Sequence, residues 1–170
     1  MTTKAQADEI WLSENFKASE WFVSADHPEV AAAMELPDEY LYKLRIMAST
    51  ILQPLRDKFG PLTILSGYRS KELNKLVKGS ESSQHRLGEA VDIVCGSYPA
   101  SIVAKAIMVM PPYSYGQVIL YLNKDGKSNF LHVSLPQMDS SKHRGALINH
   151  KGKFLQWQVA AGYINDKALP

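Results

Sequence analysis

Hydrophobic residues recur at helical spacing between Pro37 and about Lys58, the most strongly periodic segment of the chain. Seven apolar side chains fall on one helical face there: Leu41, Leu44, Met47, Ala48, Ile51, Leu52 and Leu55. The pair Gly60-Pro61 ends the pattern. We therefore predict a core helix over this stretch. Because Pro54 has no backbone N–H, we expect it to kink the helix or to end it early.

The rest of the central chain predicts two short helices and four strands. Ser70 is a suitable N-cap for a helix that Gly79 closes, and residues 99–110 are apolar and helical. The predicted strands are 62–65, 90–95, 118–122 and 130–135. The polar turn 123–127 joins the last two strands as a hairpin.

The two ends of the chain carry weaker patterns. Residues 1–36 hold scattered apolar side chains and predict an arm, with one or two short helices, packed on the core. Residues 142–170 predict a basic extension with a second hairpin, formed by 147–149 and 154–157. Together with a core over 37–141, these segments predict one domain with an α+β fold, in which helices pack against a small, mostly antiparallel sheet.

Composition and charge exclude several classes of protein. The 19 Lys and Arg residues against 17 Asp and Glu leave a net charge of +2, too small a bias to favour a nucleic-acid partner. No apolar run approaches the roughly 18 residues of a membrane span, so we expect no membrane insertion. The segment MTTKAQADEI has no apolar run, so we expect no signal peptide and synthesis in the cytoplasm.

The cysteine count narrows the metal chemistry. Cys95 is the single cysteine of the sequence, which excludes an intramolecular disulfide and the Cys-rich zinc sites. Any metal must then be held by histidine and carboxylate. His85 lies in a loop and His132 in the middle of a strand. Asp92 interrupts the apolar strand 90–95, where an unpaired carboxylate costs several kcal/mol.

A salt bridge is one way to compensate the buried Asp92, and coordination to a metal is the other. Two neutral imidazoles and one carboxylate are ligands of the kind that hold a catalytic zinc, which keeps a fourth position open for water. The spacing brings His85 and Asp92 to the same end of one strand, with Gly88 allowing the turn between them. His132 arrives from a neighbouring strand, and spacing alone leaves both alternatives open.

Arg69 is a second candidate for chemistry. It follows Ser66-Gly67-Tyr68 at the mouth of a predicted strand-to-helix turn. A planar guanidinium there can bind a carboxylate through two hydrogen bonds, and an ordinary surface arginine is the alternative.

Four short motifs together resemble the zinc D-alanyl-D-alanine carboxypeptidase-like peptidases. They are Ser66-Gly67-Tyr68-Arg69-Ser70, Asn74, Ser83-Gln84-His85-x-x-Gly88-x-Ala90-x-Asp92-Ile93 and His132-Val133-Ser134. This family includes bacterial carboxypeptidases, phage endolysins that cut the L-Ala–D-Glu bond, and the related hedgehog fold. Residues 12–16 and 52–56 resemble the subgroup common in phages and prophages, and the whole resemblance covers roughly residues 12–145.

The resemblance implies a hedgehog-type fold and a zinc site. Matched residue by residue, it makes three residues the zinc ligands: His85, Asp92 and His132. It also implies that Arg69 binds a substrate carboxylate or carbonyl oxygen and that Ser83 supports the loop near the metal. Tyr68 and Gln84, in the same motifs, are further candidates for substrate binding. The implied reaction is hydrolysis of a peptide bond next to a D-amino acid in the stem peptides of bacterial peptidoglycan.

The chain departs from this family at the general base, the group that takes a proton from the attacking water. Well-studied members carry an acid or histidine three residues before the last ligand, where this chain has Asn129. Many of the phage-like subgroup carry a glutamate where this chain has Tyr121. The candidate substitutes are Asp125 in the hairpin turn and His143 in the extension.

Two functions of different classes remain open at this stage. The first is a cell-wall peptidase of the phage endolysin type, a carboxypeptidase or an endopeptidase, released when the host lyses. The second is a non-catalytic zinc-bearing module that binds the wall or belongs to a virion, with other virion proteins as partners. The cations of the extension form either a contact for anionic wall polymers or a solvated edge: Lys142, Arg144, Lys151 and Lys153.

Overall fold

Short N-terminal elements fold onto the core of the domain. The structure, a computed structural model, describes residues 1–111, 113–137 and 145–157. Its first elements are β1 (Thr2–Thr3), α1 (Lys4–Ala7), β2 (Trp11–Ser13), β3 (Phe16–Lys17), α2 (Pro28–Ala32) and β4 (Glu35–Leu36). Strand β1 pairs with β4, and β2 pairs with β3. Phe16, Trp21 and Phe22 are almost fully buried, so their apolar surface holds this segment on the core.

The core helix forms as two α-helical sections joined by a wider turn. They are α3 (Leu41–Met47) and α4 (Gln53–Phe59), and Ala48–Leu52 between them is π-helical. The N–H of Gln53 bonds the carbonyl of Ala48, five residues earlier. Because Pro54 offers no N–H to the helix, the chain widens at this turn and then continues to Phe59 instead of ending at the proline.

A six-stranded sheet forms the centre of the domain. The remaining elements are β5 (Leu62–Ser66), α5 (Lys71–Leu76), β6 (Ala90–Cys95), α6 (Ala100–Met108), β7 (Gln117–Leu122), β8 (Ser128–Ser134), β9 (Gly145–His150) and β10 (Lys153–Gln156). The strand order is β10-β9-β7-β8-β6-β5, and every neighbouring pair is antiparallel except β7 with β9. The predicted α+β fold with a mostly antiparallel sheet is confirmed.

The alternation of side chains along the central strands separates a core face from a site face. On β6, β7 and β8 the fully buried residues of one face pack into the hydrophobic core: Val91, Ile93, Val118, Leu120, Leu131 and Val133. Residues at the intervening positions point to the other face. There the register pairs Asp92 with His132 and His132 with Ile119. Three neighbouring strands therefore carry these side chains in one row across the middle of the sheet.

The second predicted hairpin is present and extends the sheet. Strands β9 and β10 are joined through Lys151 and Gly152, both with positive φ (53° and 79°). Two left-handed residues in succession give the turn whose twist matches that of the strands. The hairpin joins the sheet because β9 runs parallel to β7, a pairing between segments far apart in sequence.

Helix α5 ends earlier than its sequence pattern predicts. Its last helical residue is Leu76, and the left-handed residue that closes it is Lys78 (φ 54°), not Gly79. The N–H of Lys78 bonds the carbonyl of Lys75, and that of Gly79 bonds the carbonyl of Asn74. A Cβ at position 79 would collide with Asn74 Oδ1, so any residue larger than glycine there requires the Asn74 side chain to shift.

No helix in the described part of the chain has the length and apolar character needed to cross a membrane.

Candidate metal centre

Three potential ligand atoms converge at one point on the site face of the sheet. His85 Nε2 lies 3.2 Å from His132 Nδ1 and 3.3 Å from Asp92 Oδ1, and the latter two atoms are 2.9 Å apart. Ligand atoms about 2.0–2.1 Å from a tetrahedral zinc ion lie about 3.3–3.4 Å from one another. The spacing and the donor types of these three side chains therefore fit one zinc ion.

The position of each ligand follows from local structure. Asp92 and His132 face each other because they are register partners on β6 and β8. His85 comes from a 3₁₀ turn, Gln84–Leu87, that precedes β6. Gly88 closes this turn with φ 67°, a left-handed conformation that glycine adopts without strain. As predicted, Gly88 allows the chain to turn between His85 in the loop and Asp92 in the strand.

A backbone carbonyl orients the His85 imidazole. His85 Nδ1 donates a hydrogen bond to the Gly67 carbonyl over 2.8 Å, which places the proton on Nδ1 and leaves Nε2 with a lone pair for a metal. Gly67 lies directly against Trp21, and a Cβ at this position would be 2.6 Å from Trp21 Cα. Packing against Trp21 of the N-terminal segment therefore holds the Gly67 carbonyl in place, and this carbonyl orients the His85 imidazole.

Arg69 holds the other side of the Asp92 carboxylate. Its Nη2 donates to Asp92 Oδ2 over 2.8 Å, and its Nε donates to Ser66 Oγ over 2.8 Å. The Arg69 backbone N–H also bonds the His85 carbonyl over 3.1 Å. Asp92 thus has both compensations that its burial called for, an ion pair at Oδ2 and the converging imidazoles at Oδ1. Arg69 is a positioned, mostly buried arginine and not an ordinary surface one.

The protonation states of His85 and Asp92 suit a cation. Burial lowers the pKa of His85, so its imidazole stays neutral at neutral pH. Burial by itself raises the pKa of Asp92, but the imidazoles of His85 and His132 lower it by more through the charge and hydrogen bonds that they supply when protonated, so the group is a carboxylate at neutral pH. A neutral imidazole and an ionised carboxylate are the forms that bind metal.

The ligand cluster lies in a groove of about 580 Å³ with two unlike walls. One wall is polar and includes Lys78, Ser80, Ser82 and Ser83. The other is aromatic: Tyr121 stacks on Phe130 with ring centroids 4.3 Å apart and meets Phe154 edge-on at 6.3 Å. The groove can therefore hold an extended ligand across the metal centre, with polar groups on one side and apolar groups on the other.

The structure brings some of the other sequence-predicted site residues to this groove and leaves others outside it. Ser83 lines the polar wall. Gln84 also borders the groove, but it is buried and its Nε2 donates to the Leu135 carbonyl over 3.1 Å. Tyr68 is buried in the core, packs edge-on against Tyr40, and is not among the described residues that line the groove.

Neither Asp125 nor Asn129 lies in the groove, whereas Tyr121 does. Asp125 is exposed in the β7–β8 turn, outside the groove lining. His143 lies outside the described residues. Asn129 is exposed at a shift of register, because Tyr121 pairs with Phe130 while Leu122 pairs with Ser128. Tyr121, the other departure from the resembled family, does line the groove.

Sequence reasoning missed several residues of the groove, among them Phe154 and Lys78. Phe154 reaches it from the second hairpin, and no local signal shows that this hairpin would lie beside β7. Lys78 reaches it from the end of α5, where the sequence pattern predicted only helix. The position of Phe154 depends on long-range packing, and that of Lys78 on a helix end that the sequence pattern placed later.

A second, larger groove carries no comparable chemistry. It has a volume of about 680 Å³ and is lined in part by Tyr42, Ile46 and Leu135. Among the described residues that line it, the charged ones are Lys43 and Glu89, which form an ion pair of 2.7 Å with each other. The two charged groups of this second groove therefore neutralise each other.

Comparison with known proteins agrees with this geometry. The sequence model of a family described as Peptidase M15 matches residues 14–134, which is more than half of the chain. No curated protein sequence matches the chain. The matched region contains all three converging ligands, and the chain belongs to the peptidase M15 family.

Proposed function

We propose that this peptidase M15 family member hydrolyses a peptide bond next to a D-amino acid in a peptidoglycan stem peptide. The family is one of zinc-dependent metallopeptidases that act on peptidoglycan-type substrates. The observation that carries the proposal is the convergence of His85 Nε2, Asp92 Oδ1 and His132 Nδ1 in an open groove. A site made only for structure has no need of a groove that leads to the metal.

His85, Asp92 and His132 would hold the zinc ion. When bound, zinc polarises the scissile carbonyl and lowers the pKa of a bound water to about 7. The protein's own contribution is to keep the three ligands in place. The Gly67 carbonyl does this for His85, and Arg69 does it for Asp92.

Arg69 has a second role in the proposal. Its Nε and Nη2 are engaged with Ser66 and Asp92, whereas Nη1 has no hydrogen-bond partner among the described residues. The side chain lines the groove, so its remaining N–H groups can donate to a substrate carboxylate or to the oxygen on which negative charge develops. The ion pair with Asp92 fixes the guanidinium before substrate binds.

Tyr121 supplies the other donor. Burial raises the pKa of its phenol above the ordinary value of 10.0, so the hydroxyl stays protonated at neutral pH. A protonated phenol in the groove donates a hydrogen bond and does not act as the general base. Of the described residues lining the groove, Asp92 is the one carboxylate. The base in this proposal is therefore His143 from the C-terminal extension, with Asp125 as the second candidate.

The shortage of carboxylates in the groove also favours a second candidate function. In it the chain is a zinc-bearing module without turnover, which binds the wall or assembles with phage virion proteins. The resemblance of residues 12–16 and 52–56 to the phage and prophage subgroup is consistent with either function. The two functions differ in whether peptide bonds are cut.

A turnover assay separates the two functions. The zinc-loaded protein is incubated with purified stem peptides and with intact peptidoglycan, and the products are identified by mass spectrometry. Release of D-alanine identifies a carboxypeptidase, and internal fragments identify an endopeptidase. His132→Ala and chelator-treated protein serve as controls. Zinc-loaded protein that binds these substrates but releases no product supports the non-catalytic module.

A further inference from the structure

A pocket with four cationic side chains adjoins the metal groove. It has a volume of about 420 Å³ and is lined by Lys71, Asn74, Lys75, Lys78, Gly79, Glu81 and Arg86. Lys78 and Gly79 line the metal groove as well, so the two cavities share a rim. We refer to this second cavity as the basic pocket.

The positive charges of the basic pocket are not neutralised by the protein. Within the described part of the chain, its lysines and its arginine form no ion pair with a carboxylate. Arg86 Nη1 donates instead to the backbone carbonyl of Glu81 over 2.6 Å. Among the described residues of the lining Glu81 is the one carboxylate, against four cations, so these residues leave an excess of positive charge. A cavity lined by one sign of charge attracts a ligand of the other sign.

The backbone at Lys78 gives a second, independent observation. Lys78 has a φ of 54°, the left-handed position at the end of a helix where glycine is commonest. A residue with a Cβ is strained there, and strain of this kind clusters at functional sites. The lysine stands on the rim shared by the two cavities, so a ligand long enough to extend from one to the other would pass its charge.

We propose that the basic pocket binds a carboxylate of the substrate peptide, separate from the group that lies at the metal centre. Lys71 and Lys75 are four residues apart on α5 and so share one face of the helix. A peptide lying across the metal and over the rim at Lys78 brings an acidic side chain to this face. The inference rests on the proposed function and adds a substrate class to it. The protein would bind peptides with a free carboxylate at this position more tightly than the same peptides with that carboxylate amidated.

The test compares two stem peptides that are identical except that one has a free carboxylate and the other has a carboxamide at the same position. The double variant Lys71→Gln/Lys75→Gln is set against Lys58→Gln/Lys105→Gln, which removes the same charge from exposed positions on α4 and α6. Turnover and direct calorimetric binding are measured with the zinc-loaded protein. We expect the preference for the carboxylate peptide to fall on the order of 3- to 10-fold in the pocket variant and to stay in the control. High salt reduces the preference of the parent.

The variant Lys78→Gly separates binding from structure at the rim. Glycine relieves the left-handed strain, so the melting temperature rises by about 2 °C or more. The preference for the carboxylate peptide falls in the same variant because the charge is lost. A rise in melting temperature with an unchanged preference assigns Lys78 to structure and counts against the inference.

The outcomes distinguish this inference from the proposed function. Cleavage of both peptides with an unchanged preference in the pocket variant overturns the inference and leaves the function standing. Failure to cleave either peptide overturns the function and the inference with it. A glycerol-phosphate polymer is the third probe. If the pocket variant loses binding to this polymer but keeps its peptide preference, the pocket serves a wall polymer and the carboxylate assignment is wrong.

Discussion

Arg69 Nη2 donates a hydrogen bond to Asp92 Oδ2 over 2.8 Å, and this contact leaves Oδ1 of the same carboxylate to face the two imidazoles. An ion pair and a metal ligand were alternative explanations for a carboxylate in an apolar strand. In the structure one oxygen of Asp92 makes the ion pair and the other faces the imidazoles, where it can bind a metal. The arginine is therefore part of the support of the metal centre as well as a wall of the groove.

Replacing Arg69 by lysine is expected to weaken zinc binding about 10- to 100-fold, the usual cost of losing a partner that orients a ligand. Lysine keeps the charge but not the planar group that bonds Ser66 and Asp92 together. Competition with a chromophoric chelator measures the affinity, and circular dichroism checks that the fold is retained. An unchanged zinc affinity would mean that Asp92 is oriented without help from the arginine.

The parent protein is expected to hold about one zinc ion per chain. His132→Ala should lose most of it, while His27→Ala, in the N-terminal segment, should lose none. Elemental analysis of the purified proteins gives the ratio. Added zinc should also raise the melting temperature of the parent but not that of His132→Ala, since a ligand that binds the folded state stabilises it. A full complement of metal in His132→Ala contradicts the assignment.

The metal-free protein should lose stability as the pH falls below about 6.5. The pKa of His85 is lowered by burial, so the folded state favours the neutral imidazole and the unfolded state takes up the proton first. This contribution is complete above the unfolded value of 6.5 and is lost as pH falls toward the folded value. Urea unfolding of the apoprotein at several pH values measures it. His85→Asn should flatten this part of the profile, and an equal slope in both proteins would assign the effect to another group.

Local sequence patterns were sufficient to predict the strands of the central sheet and to single out Asp92 and His132, whereas the choice of a metal site over a salt bridge came from the family resemblance. The alternation over 90–95 and 130–135 defines one apolar face, which leaves Asp92 and His132 on the other face of the sheet. An apolar strand interrupted by a charged residue is informative because burial without compensation is costly. The strand pattern and the position of Asp92 and His132 can be predicted because they depend on residues that are close in sequence or on the adjacent strand.

Features that depend on distant packing were not predictable. Gly79 was expected to take the left-handed position that closes α5, because glycine is commonest there. In the structure Lys78, one residue earlier, takes that position, and Gly79 packs against Asn74. Lys78 therefore reaches the groove. Phe154 lies on β10 and joins the aromatic wall because its partner strand β9 pairs in parallel with β7. No turn motif or residue spacing in the sequence indicates this pairing.

Gly67→Ala is expected to destabilise the protein by about 2 kcal/mol or more, because an added Cβ would meet the Trp21 backbone at 2.6 Å. It should also weaken zinc binding, since the Gly67 carbonyl orients His85. Gly96→Ala is the matched control, because no atom lies within 4 Å of a Cβ built there. Chemical denaturation and the chelator assay report the two effects. Equal stability of the two variants would show that the strand shifts to accept the methyl group.

Tyr121 and Asn129 are the two positions at which the chain lacks an acid that the resembled family carries, and they lie in different surroundings. Tyr121 lines the groove, whereas Asn129 is exposed and outside its lining. We therefore expect Tyr121→Glu to change turnover and Asn129→Asp to leave it unchanged. A positioned base is worth about 10²- to 10⁴-fold, so a glutamate that reaches the attacking water should raise kcat measurably. The loss of the stack on Phe130 costs about 0.5–1.5 kcal/mol of stability.

Tyr121→Phe tests the phenol itself. It keeps the aromatic wall and removes only the hydroxyl, so zinc content and stability should stay near those of the parent. If the protonated phenol donates to the reacting oxygen, kcat falls about 10-fold or more while KM changes little. The parent should keep this activity until the pH approaches the raised pKa of Tyr121, above 10. A phenylalanine variant as fast as the parent would show that the phenol does not donate to the reacting oxygen. A faster Asn129→Asp beside it would show that a base at the β7–β8 turn, where Asp125 also lies, can reach the attacking water.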